Sequence, residues 1–112
     1  MNYKNILGVI ILMLFCAACE SVGDKYLNEY YNIGKDYYNA LDHVKSKEDF
    51  SLLEDDFNKQ LRKLKERYEQ KLEENLSLEE KIELTNKIKE KCQNLSEQIK
   101  QKERELKAKF DK

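Results

Sequence analysis

A chain of 112 residues is long enough for one small domain or one elongated helical unit. Charged residues make up 38% of it, but 21 basic against 22 acidic residues leave a net charge of −1. The two signs are interspersed, so there is no basic face or arm of the kind that holds nucleic acid, and a nucleic-acid partner is excluded at this level. The chain has no proline, only three glycines, and neither Asn-Gly nor Asp-Gly. With helix breakers and hairpin turns both missing, the composition predicts an all-α fold of long helices.

The first element is an apolar segment. Met1 and Lys4 supply a weakly positive start, residues 6–15 are apolar throughout, and Ala17 and Ala18 lead into Cys19 before Glu20 ends the run. That order is the layout of a secretory signal peptide. A helix that crosses roughly 30 Å of hydrocarbon needs about 20 apolar residues, and Glu20 cuts this run short. The segment is therefore read as cleaved. Two alternatives remain: an uncleaved N-terminal membrane anchor carrying a coiled-coil ectodomain, and an ordinary helix in which both cysteines are small hydrophobes.

The stretch Cys16-Ala17-Ala18-Cys19 resembles the lipobox of bacterial lipoproteins, with small residues at the two positions before an obligatory cysteine. The resemblance covers residues 1–19. It implies that residues 1–18 are a lipoprotein signal peptide, that cleavage falls between Ala18 and Cys19, and that Cys19 carries the lipid through a thioether. It also implies two or three acyl chains of the palmitate kind, which place the protein in the bacterial cell envelope. Cys16 stands where the family prefers Leu. Each buried CH₂ contributes about 0.8 kcal/mol, so two or more chains hold a protein to a membrane where one does not.

A tyrosine-rich helix comes next, within residues 19–45. Val22, Tyr26, Tyr30, Ile33, Tyr37, Leu41 and Val44 recur at spacings of three and four, and Leu27, Tyr31 and Tyr38 widen the stripe. The periodicity carries the helix from about Ser21 to Val44, with Gly23 and Gly34 each costing up to about 1 kcal/mol against alanine.

Residues 46–112 read as a helical hairpin. A break, or only a kink, is expected in Lys45-Ser46-Lys47-Glu48-Asp49-Phe50-Ser51, capped by Ser46 with Asp49 or by Ser51 with Glu54. From about residue 48 to 75, Phe50, Leu53, Phe57, Leu61, Leu64, Tyr68 and Leu72 form one stripe. Ser77 followed three residues later by Glu80 fits the capping box of a further helix, residues 78–110. Its apolar positions include Leu78, Ile82, Ile88, Leu95 and Phe110; in heptads, Thr85, Cys92, Ile99 and Leu106 share one seam position, and Lys102 interrupts the other. The short connection makes the last two helices antiparallel neighbours. The expected architecture is a long antiparallel helical hairpin with coiled-coil character, with the tyrosine-rich helix extending from it or completing a small three-helix bundle.

Few residues suggest chemistry. His43 is the single histidine and has neither a second histidine nor a cysteine near it in sequence, so no metal site and no catalytic residue is assigned. There is no glycine-rich phosphate loop, and no cofactor or small-molecule substrate is expected. Cys92 has two readings: an intermolecular disulfide joining a homo-oligomer outside the cytoplasm, or a small residue at a seam position. Tyr26, Tyr30, Tyr31, Tyr37 and Tyr38 are the candidate interaction face, since tyrosine is enriched at protein and membrane interfaces; the alternative is that they form the wide core face of a bundle. The expected function is that of a non-enzymatic, lipid-anchored protein presenting a helical body for protein–protein interaction at the envelope or cell surface. The alternative is a membrane-anchored regulator or inhibitor of an envelope enzyme.

Overall fold

A computed structural model describes residues 21–111, which form three α-helices and no strand. Helix α1 is Val22–Leu41, α2 is Lys47–Asn75 and α3 is Leu78–Phe110. The signal-peptide and lipobox residues, Ala17, Ala18 and Cys19 among them, lie outside the described residues.

Each helix begins with a serine whose hydroxyl accepts from a backbone N–H of the first turn. Ser21 accepts from the amide of Asp24 at 3.1 Å, Ser46 from Asp49 at 3.1 Å and Ser77 from Glu80 at 3.2 Å. These bonds satisfy donors that the helix itself leaves without partners. At Ser77 the box is reciprocal, the Ser77 N–H donating to Glu80 Oε1 at 3.1 Å. The choice at the second break falls on Ser46, where Asp49 Oδ2 accepts from the amide of Lys45. Helix α1 ends three residues earlier than its periodicity suggests. The amides of Asp42, His43 and Val44 bond to the carbonyls three residues back, which tightens the last turn and reverses the chain. Val44 is thereby delivered to the core beside Phe50.

The tyrosine-rich helix is the centre of the packing. Helix α1 lies against both α2 and α3, which touch each other only sparsely along their lengths. Its cross-helix pairs give the directions: Asp24 with Lys87 and Asp42 with Lys102 make it parallel to α3, while Tyr26 with Tyr68 and Tyr37 with Phe57 make it antiparallel to α2. The largest buried cluster joins Tyr37, Leu41, Val44, Phe50, Leu95 and Ile99 near the 42–46 connection. Toward the 76–77 turn the buried positions are Leu27, Leu64 and Leu84. Covering one leucine fully contributes about 1.5–3 kcal/mol.

The seam differs from the heptad reading. In α3, Leu84 is buried, whereas Ile82 is 54% exposed and Thr85 is turned outward, its hydroxyl donating to the carbonyl of Lys81. The inward positions recur every eleven residues: Leu84, Leu95 and Leu106; Ile88, Ile99 and Phe110. The same interval links Phe50, Leu61 and Leu72 in α2, and Gly23 with Gly34 in α1. Eleven residues over three turns is 3.67 per turn, close to the 3.6 of a straight helix, and it does not impose the left-handed winding of a 3.5 repeat.

The glycines, read from sequence as a cost, are packing positions. Both are buried in α1. A Cβ at Gly34 would stand 3.2 Å from Leu95 Cδ2, and one at Gly23 would stand 3.5 Å from Leu84 Cδ1. The missing side chains let α1 approach α3 closely enough to seat the two leucines.

Candidate functional surface

The tyrosines of α1 divide by position. Tyr37 belongs to the interior at 3% exposure, and Tyr26, Tyr30, Tyr31 and Tyr38 are half-buried. The Tyr37 ring lies flat on Phe57, with centroids 4.1 Å apart and planes 2° from parallel. Its hydroxyl donates to Glu103 Oε2 at 2.8 Å, so the polar tip of a buried aromatic has the partner it requires. Burial first, then the Glu103 hydrogen bond and the charges of Glu103 and Glu54, hold this phenol far above the ordinary tyrosine range. Glu54 of α2 faces the same carboxylate. Burial and the Glu103 charge raise its pKa, while Lys107 works in the opposite direction.

Tyr38 and Tyr31 hold lysines of α3. The Lys102 ammonium stands 3.7 Å from the Tyr38 ring centroid and 2.6 Å from Asp42 Oδ1. Burial alone lowers the Lys102 pKa, but the Asp42 hydrogen bond and charge outweigh it and the net shift is upward. Lys102, which breaks the heptad in sequence, is therefore a lateral tie between α1 and α3. Lys91 lies 5.0 Å from the Tyr31 ring centroid and donates to Asn28 Oδ1 at 2.9 Å. Tyr26 meets Tyr68 edge-on at 5.6 Å and lies tilted against Tyr30 at 6.1 Å. A hydrogen bond to Glu29 is the main influence raising the pKa of Tyr68, followed by burial.

Because α2 and α3 stand apart, a groove of about 250 Å³ opens between them over α1. Phe57 and Leu61 form one wall, Leu95 and Ile99 the other, and Tyr30 and Gly34 line the base. Cys92 also lines it, half-buried and free, with its thiol pKa raised by burial. A raised pKa keeps a thiol protonated and slow to react. His43 is exposed in the 42–46 connection. Among the described residues, no group of three or more His, Cys, Asp or Glu side chains is placed to hold a metal ion, and no helix is long and apolar enough to cross a membrane.

Sequence reasoning singled out the tyrosines but not the residues that bind them. Glu54, Glu103 and Lys102 looked like solvated charges, and only Lys102 carried a signal, as a charge at a position where the seam required an apolar residue. The chain matches no protein-family model, no curated protein and no solved structure.

Proposed function

We propose that the chain is an exported bacterial lipoprotein, anchored by acylated Cys19, whose three-helix body acts by protein–protein contact in the cell envelope. The observation that carries this reading is the sequence of residues 1–19, in which positive start, apolar run, small residues and cysteine come in the order that export and lipidation need. The position of the helical body is compatible with it: Ser21 caps α1 two residues after Cys19, which sets the three-helix body directly behind the lipid site. The body offers a partner the open groove between α2 and α3 and the half-buried rings of Tyr26, Tyr30, Tyr31 and Tyr38.

The test is the intact mass of the protein taken from the membrane fraction, beside a Cys19→Ser variant. A chain beginning at Cys19 with added acyl mass, lost in the variant, is the expected result. A full-length unmodified chain in the membrane makes residues 6–19 an uncleaved anchor instead, and a soluble unacylated chain removes the lipid reading altogether.

A further inference from the structure

We propose that the turn between α2 and α3 rests on the lipid surface, with Leu78 and Ile82 pressed into it beside the acyl chains. The inference rests on Cys19 being the lipid site. Three large hydrophobic side chains are exposed among the described residues: Leu78 at 74%, Leu52 at 68% and Ile82 at 54%. Leu78 and Ile82 are four residues apart in the first turns of α3 and so share one helix face.

The anchor leaves the fold at this same end. Helix α1 runs parallel to α3, and Gly23, in its first turn, lies against Leu84 and Leu76. From the level of Leu84, Ile82 and Leu78 stand about 3 Å and 9 Å further along the α3 axis at 1.5 Å per residue. Cys19 is two residues before Ser21, which limits its reach to about 7 Å. A lipid on Cys19 is thus tethered within that distance of Ser21, at the end of the bundle that carries Leu78, by a linker too short to turn the bundle over. Leu52 is at the other end, about 36 Å from Leu76 along α2.

The charges around the turn specify the kind of contact. Glu73, Glu74, Glu79, Glu80 and Glu83 outnumber Lys71 and Lys81, and Lys81 is already bonded to Glu73 at 2.6 Å. Such a surface does not seek anionic headgroups as a polybasic segment does. The contact is apolar, made by two aliphatic side chains entering the interface of any fluid bilayer.

The test uses membrane-purified protein in a Cys92→Ser background, with Leu78→Cys, Ile82→Cys or Leu52→Cys labelled by an environment-sensitive fluorophore. Each is reconstituted into phosphatidylcholine vesicles with and without lipids brominated on their acyl chains. Labels at 78 and 82 are expected to lose at least half their emission to the bromines, while a label at 52 is unchanged and added phosphatidylserine makes no difference. Acylated protein whose 78 and 82 labels are unquenched, or whose 52 label is quenched equally, overturns the proposal. So does cross-linking of position 82 to a second copy, which would make the apolar pair a dimer contact. Intact mass on the same samples reports separately on the anchor: a chain without acyl mass overturns the lipoprotein reading and this orientation with it, whereas an acylated chain with unquenched labels overturns the orientation alone.

Discussion

Removing one oxygen tests the reasoning about the core. In Tyr37→Phe the ring keeps its stack on Phe57 and its burial, but the 2.8 Å bond to Glu103 is lost. A hydrogen bond to a charged partner contributes about 1.5–3 kcal/mol. Glu103 borders the open groove and regains water when the hydroxyl leaves, so the lower end, about 1.5 kcal/mol, applies. For a domain of this size the midpoint should fall by roughly 6–12 °C, at 4–8 °C per kcal/mol. Thermal and urea unfolding followed by circular dichroism measures it, and a double-mutant cycle with Glu103→Ala should return a coupling of about 1 kcal/mol. The pH dependence is an independent check. The Tyr37 phenol is held above its ordinary value of 10.0, so above pH 10 the unfolded chain loses this proton while the folded chain keeps it. Stability therefore falls as pH rises above 10, and falls less steeply in Tyr37→Phe. A variant as stable as the parent, with no coupling to Glu103 and the same alkaline slope, would refute the account of Tyr37 as a tied core residue.

Three further substitutions probe the packing. Leu64→Ala, at a side chain with 0% exposure, should cost about 2–5 kcal/mol, seen as an early urea midpoint. Gly34→Val places a branched side chain where a Cβ alone would stand 3.2 Å from Leu95, and should cost about 1–3 kcal/mol despite valine's better helix propensity; a gain in stability would show that α1 and α3 are not in close contact there. Glu54→Gln should stabilise the fold at pH 7 by about 0.5 kcal/mol, the scale of a screened, partly exposed pair. The folded carboxyl holds its proton above the ordinary 4.5, so the parent loses stability as pH rises from 4.5 through the higher folded value, and the variant, measured by chemical denaturation at pH 4.5 and 7, should show a smaller loss.

The Ser77 capping box, the connection at Leu76 and Ser77, and the inward stripe of α2 were legible because each depends on residues within one or two turns of one another, whereas Ser46 stood beside Ser51 as an equal candidate and the Ser21 cap was not read at all. The all-α class came from the missing breakers by the same local logic. In α3 the local signal was ambiguous: heptad and eleven-residue templates, at 3.5 and 3.67 residues per turn, diverge by only about 33° every seven residues. Over the three heptads from Leu106 back to Thr85 that drift is enough to turn Thr85 outward and bring Leu84 in. Which template applies depends on whether the helices wind around each other, and that is a property of the neighbours. The presence of α1 along both long helices decided it, and decided with it the value of Gly34, the pairing of Lys102 with Tyr38 and Asp42, and the burial of Tyr37 over Glu103. Each of these last pairs spans 60 or more residues of chain. The amino-acid sequence determined that there are three helices and where the last one starts; the end of α1 and the faces that meet were decided by the packing of α1 against both long helices.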